Sequence, residues 1–286
     1  MYVSYWNLRE RPFQNVANTQ FAYLSPQHRE GLARLLYIVE ERKLGGVLIG
    51  PYGAGKTMIL EMLAGIVKTR PNLTYIQIDA PPSNALALAR QLLACLQYTQ
   101  PVNDIAQALN AIQGYLSYAG TAVPHLVVVV DEAQMLQDSD AFEFLHLLCN
   151  MRVRNKDGGV GENGITLILA GHQDLVSRLA ARASLAQRLQ FFWKLDPLNQ
   201  QQTMEYVQHR MRSAGGDIWA FEEEALKAIV TYTQGLPRLI NNLCDVALLL
   251  GCAMNGSRIT ADIVRQAARD VQIPTLTEAN TISEAS

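Results

Sequence analysis

The run Gly50-Pro51-Tyr52-Gly53-Ala54-Gly55-Lys56-Thr57 follows directly on the apolar stretch Val47-Leu48-Ile49 and precedes a helical pattern over Met58–Lys68. A segment with so many glycines is poor helix and poor strand, so its shape has to serve something else. The spacing Gly50-x4-Gly55-Lys56-Thr57, set between a strand and a helix, is the full phosphate-binding loop pattern. The glycines let successive main-chain N–H groups turn inward, and the N-terminus of the following helix adds its positive dipole end. Residues Gly50, Pro51, Tyr52, Gly53, Ala54, Gly55, Lys56, Thr57 and Met58 are therefore expected to hold the phosphates of a nucleotide triphosphate. Lys56 would reach the β- and γ-phosphates, and Thr57 would place its hydroxyl on Mg²⁺.

The rest of the chain supplies a frame for such a loop. Short apolar runs recur at 46–50, 74–79, 126–132, 165–171 and 191–195, with amphipathic helical patterns between them at 83–98, 104–118 and 138–151. A further helix is expected over 26–42, with Ser25 as its N-cap and Pro26 at its first position. Strands that are nearly all Val, Ile and Leu, alternating with helices, mean a parallel sheet covered on both faces. After Leu195-Asp196-Pro197-Leu198 the strand pattern stops, and helical segments follow near 199–214, 222–234, 237–252 and 260–271. That switch from α/β to all-α puts a boundary near Pro197: an α/β domain over 1–197 and a helical domain over 198–271. The polar, glycine-rich stretch 154–164 reads as a loop or short hairpin, and 272–286 as a disordered tail.

A second acidic motif complements the loop. Four valines, Val127–Val130, end in Asp131-Glu132 at the edge where ligands of open α/β sheets bind. Asp131 would hold Mg²⁺ through its water shell, and Glu132 would accept a proton from the attacking water. Two acids at a strand end also occur as a solvated rim or a helix cap, but here a phosphate loop accompanies them. The run 165–171 ends in His172-Gln173-Asp174, so His172, with Gln173 as the alternative, is placed to sense the γ-phosphate or the water.

Composition narrows the partners. A formal charge of −2 and a pI near 6.2 provide no general basic field for nucleic acid or anionic lipid. Cys95, Cys149, Cys244 and Cys252 form no CxxC pair, which suits reduced core thiols of a cytoplasmic protein. No uninterrupted apolar run is long enough to span a bilayer, and Met1–Phe13 carries charges where a signal peptide would be apolar. Membrane contact is expected only through a partner.

With these motifs in view, the chain resembles the AAA+ ATPases, and among them the general secretion pathway protein A (ExeA-type) group. The likeness is carried by LRERPF (8–13), AYLSPQHREGLARLLYIVEERK (22–43), GPYGAGKT, VVVVDEAQ, LILAGHQDL, LAQRL and GLPRLINNLCDVALL (235–249). It implies a P-loop NTPase domain of three α/β/α layers around a parallel sheet, followed by a small all-α lid, with ATP and Mg²⁺ as cofactors. It also implies that Arg188 in LAQRL is an arginine finger completing a neighbouring subunit's site, with Arg182 as the competing candidate. Arg238, after Pro237 in GLPR, corresponds to the sensor-2 arginine on the lid, which puts Pro237 and Arg238 beside the nucleotide. Phe13 and Leu24 would line the adenine pocket or else serve as core. At the sensor-1 position the group usually has glutamine, where this chain has His172. Longer members continue into a transmembrane segment and a peptidoglycan-binding domain, for which this sequence has no pattern.

Two functions follow. One is a Mg²⁺-dependent ATPase, assembled as a homo-oligomeric ring or helical filament, that remodels a secretion, pilus or polysaccharide-export complex. The alternative is an ATP-gated oligomeric regulator that binds DNA and a transposase-type partner, with hydrolysis as a timer. The acidic balance does not favour DNA.

Overall fold

The structure is a computed structural model that describes residues 2–118, 125–153 and 161–271. Each apolar run expected as a strand forms one: β1 (Gly45–Ile49), β2 (Leu73–Ile78), β3 (His125–Val130), β4 (Ile165–Gly171) and β5 (Phe191–Lys194). They pair in the order β2-β3-β4-β1-β5, every pair parallel. Every residue of β1, β3 and β4 is buried. A strand buried along its whole length needs cover on both faces, which the helical crossovers between parallel strands provide.

The helices are α1 (Tyr2–Tyr5), α2 (Pro26–Glu40), α3 (Lys56–Val67), α4 (Ala85–Cys95), α5 (Ile105–Tyr118), α6 (Ser139–Cys149), α7 (Asp174–Ala180), α8 (Ala183–Ala186), α9 (Gln200–Ser213), α10 (Glu223–Thr233), α11 (Pro237–Ala253) and α12 (Ala261–Asp270). Their starts have local chemical causes. Asn84 accepts from the Ala87 N–H at the head of α4, and Asn199 and Gln202 form a reciprocal capping box at α9. Proline opens α2 and stands in the first turn of α11. The periodicity reading does not find α1, α7 or α8, because 4, 7 and 4 residues hold too few turns to show a repeat.

The chain divides into two compact units. The sheet unit comprises Gln27–Pro51 and Ile59–Leu195. Its core packs β-strand valines and leucines against Leu88, Leu92, Ile112, Phe142 and Leu145 of α4, α5 and α6. The helical unit comprises the described residues of Met1–Pro26, Tyr52–Met58 and Asp196–Ser286. Reading 1–197 as one domain assigns the N-terminal segment to the sheet. Its Tyr2, Trp6, Leu8, Phe13 and Phe21 instead share a core with Val207, Ile229, Leu243 and Val264 of α9 to α12.

Polar contacts fix that segment in place. The Trp6 indole N–H donates to the Leu248 carbonyl at 2.9 Å, and the buried Arg210 guanidinium donates to the carbonyls of Pro12 and Gln14 at 2.6 and 2.8 Å. Two smaller differences also stand. Cys95 is exposed rather than part of a core, while Cys149 and Cys244 are buried. The stretch expected as a loop is described only over 161–164, where Asn163 bridges Arg152 antiparallel; residues 154–160 and the expected tail, 272–286, lie outside the described residues. Among those described, no helix is long and apolar enough to cross a membrane.

His125, fully buried at the start of β3, has Nδ1 3.0 Å from the Asn163 carbonyl and Nε2 2.9 Å from the Thr166 hydroxyl. Burial, with a smaller contribution from Arg42, pushes its pKa down from 6.5 to about 4. The imidazole is thus neutral in the fold, while the unfolded chain binds a proton as pH falls below 6.5. Stability is therefore undiminished above 6.5 and declines towards pH 4, by up to about 3 kcal/mol. Thermal midpoints recorded across this window should fall for the parent and fall less steeply for His125→Gln.

Candidate functional site

All five strands run the same way, so their C-terminal ends share one edge of the sheet. Ile49 pairs with Gly171 and Val130 with Leu169, and the Gly50 N–H donates to the Gly171 carbonyl at 3.2 Å. Gly50-Pro51 after β1, Asp131-Glu132 after β3 and His172 after β4 consequently leave the sheet at the same edge. β1 lies between β4 and β5, where the strand order switches, which is the usual crevice for ligands.

Asp131 is 3% exposed and accepts from the Glu132 N–H at 2.8 Å. Glu132 is half-buried and sits at φ 51°, a left-handed conformation that costs a non-glycine residue about 1 kcal/mol or more. The turn it opens, Ala133–Met135, brings Gln134 back to the strand ends. The Gln134 amide donates to Glu132 Oε2, and its oxygen accepts from the His172 N–H at 2.9 Å. A Cβ at position 171 would lie 2.4 Å from that oxygen, so glycine ends β4. The His172 Nδ1 is 3.4 Å from Asp174 Oδ2, and Gln173 is exposed at the head of α7. The sequence reading did not single out Gln134; its only signal was a polar side chain two positions beyond Glu132.

In the helical unit, Tyr52–Met58 forms the loop and the first turn of α3. Gly53 and Gly55 are at φ 78° and 100°, the conformation that turns main-chain N–H groups into a concave cradle. Lys56 is 4% exposed, with Nζ 5.8 Å from the Tyr52 ring centroid. This cradle, with a cation at the head of a helix, fits a polyphosphate. The start of α11 packs on the loop: the Arg238 N–H donates to the Gly53 carbonyl at 3.3 Å, and the Arg238 side chain is exposed. Pro237, in the first turn of α11, restricts the backbone there. Phe13 packs edge-on against Phe221 in the helical core, with centroids 6.0 Å apart, and Leu24 is half-buried.

The structure does not gather the two candidate finger residues with the acids of their own chain. Arg188 shortly precedes β5, which begins at Phe191 beside Gly46 at the start of β1. It therefore lies towards the opposite edge of the sheet from Glu132, about one strand length, or roughly 15 Å, away. There its guanidinium donates to Asn150 Oδ1 at 2.8 Å and to the Ser184 carbonyl at 3.2 Å. Arg182 stacks over Phe142 at 4.2 Å and donates to the Arg178 carbonyl at 2.8 Å.

A model of the AAA domain family matches residues 39–179. General secretion pathway protein A of Aeromonas hydrophila is 31% identical over 278 residues, 95% of this chain and 48% of that protein. The chain thus spans about half the length of the curated relative it matches. Among solved structures, Cdc6p from Pyrobaculum aerophilum superposes with a TM-score of 0.69 at 18% identity, covering 90% of this chain and 71% of that one. The Aeropyrum pernix ORC2 protein, solved as ADPNP-ADP complexes, gives 0.68 at 16% identity, with 93% and 72% covered. At such identities the structures establish likeness of fold.

The close contact at Gly53 has a measurable consequence. Its Cβ would lie 2.6 Å from the Cβ of Arg238, at a φ that disfavours any side chain. Gly53→Ala should lose about 1–3 kcal/mol of stability in denaturant titration. Gly65→Ala, in α3 with nothing within 4 Å of the added atom, should be neutral or gain up to about 1 kcal/mol.

Proposed function

Because the chain belongs to the AAA+ ATPases and is similar over most of its length to a general secretion pathway protein A, we propose that it hydrolyses ATP in an oligomer and couples the cycle to remodelling a protein complex. The observation that carries this reading is the common sheet edge from which the glycine loop, the Asp131-Glu132 pair and His172 all depart. Residues 50–58 take the phosphates, with Lys56 and the lid residue Arg238 offsetting their charge, in a two-part body of sheet unit and helical lid, the N-terminal segment sharing the core of the lid. Thr57 and Asp131 offer one hydroxyl and one carboxylate, the sparse donor set suited to a Mg²⁺ ion held mostly by phosphate and water. That ion would supply charge neutralisation between the phosphates. Glu132 takes the proton of the attacking water at its carboxylate, and His172 contacts the terminal phosphate.

Arg188 serves the site of a neighbouring copy. Its distance from Glu132 of its own chain supports action in trans, and hence activity that depends on assembly. A net charge of −2 supports a protein partner over DNA, and the likeness to a secretion protein supports an export or envelope-assembly complex approached from the cytoplasmic side.

Calorimetry and phosphate release test the reading together. Lys56→Ala should lose ATP binding. Glu132→Gln should bind ATP normally and lose at least about a hundredfold in kcat. Arg188→Ala should also bind ATP and turn over slowly, yet an equimolar mixture with Glu132→Gln should exceed the summed rates of its parts, because each supplies what the other lacks. Parent-like hydrolysis by Glu132→Gln would overturn the base assignment, and a mixture no faster than its parts would overturn the finger in trans.

A further inference from the structure

The side chain of Gln134 bridges two strand ends. Its amide donates to Glu132 Oε2, and its carbonyl accepts from the main-chain N–H of His172 at 2.9 Å. Three local features make that bridge possible. Glu132 adopts φ 51°, which turns the chain sharply after β3. The following turn places Gln134 over the end of β4. Glycine at 171 leaves the room that its amide oxygen occupies. The His172 N–H lies just beyond the last β4 residue, Gly171, so a side-chain acceptor takes the place of ladder pairing.

We infer that Gln134 is a positioning residue for Glu132: its amide aims the carboxylate and couples it to the end of β4, where His172 sits. The inference rests on the reading of Glu132 as general base. A glutamate side chain at a strand end has several rotamers, and a donor on one carboxylate oxygen selects among them. The same amide group is fixed at its other end to the His172 main chain. Displacement of His172 by a terminal phosphate is then transmitted to Glu132 through one rigid planar group.

Two variants and one spectroscopic measurement test this. Gln134→Met keeps the volume and removes both hydrogen bonds. Its kcat for ATP should fall about tenfold to a hundredfold with KM within about twofold of the parent, because aim and not binding is lost. Gln134→Glu keeps an acceptor for His172 but removes the donor to Glu132, so its kcat should fall as in Gln134→Met with KM within about twofold of the parent. In nucleotide-free protein, the Gln134 side-chain amide resonances, assigned by their loss in Gln134→Met, should shift in Glu132→Ala.

A Gln134→Met enzyme with parent kcat, or with only KM raised, overturns the inference. So does a Gln134→Glu enzyme with parent kcat, or an amide signal indifferent to Glu132→Ala. The spectroscopic arm needs no ATP turnover. A parent that does not hydrolyse ATP would sink the proposed activity, while the bridge would still be judged by the spectra.

Discussion

Parallel strand pairing is the constraint on which the rest of this molecule depends. Once β3, β4 and β1 are hydrogen-bonded side by side in one direction, the residues that follow each strand have to emerge together. Asp131-Glu132, His172 and Gly50-Pro51, far apart in the chain, thereby leave the sheet at one edge through backbone pairing alone. The same rule sends what precedes β5 to the other end of the sheet, and Arg188 with it. The separation is a strand length, set by backbone geometry, and no side-chain rotamer of Arg188 can abolish it.

Most of the frame was legible in the residues. Runs such as Leu126–Val130 and Ile165–Ala170 are too apolar and too β-branched for a solvent-facing strand, and the spacing between them leaves room for the crossover helix α6. The phosphate loop was equally plain, because its glycines have a purpose only where the backbone must adopt positive φ, as Gly53 and Gly55 do. What escaped the sequence reading depends on contacts between distant residues. Nothing in Tyr2, Trp6 and Phe13 tells which core they enter; that is decided by Leu248 and Arg210, which present a carbonyl and a guanidinium to them or their neighbours. Gln134 was hidden for another reason. Its role follows from a left-handed turn at Glu132, and a glutamate gives no sign of adopting one.

The helical unit links its parts through main chain as much as through side chains. Because the Gly53 carbonyl accepts from the Arg238 N–H, the loop conformation and the start of α11 are not independent variables. Gly235, at φ 73°, and Pro237 define how the chain enters that helix. A movement of α11 would be felt at the loop directly, before any charge on the Arg238 guanidinium is considered.

The burial of the first residues among the last helices also governs the order of events during synthesis. Tyr2, Trp6 and Phe13 are made before the sheet unit, yet the surfaces that cover them, on α9 to α12, are made only after the whole of it. Until residues near Ala268 have emerged, these aromatic side chains have no native shelter. The nascent chain therefore carries an uncovered aromatic segment while the sheet unit is being made, and this is the stretch that a chaperone would be expected to guard.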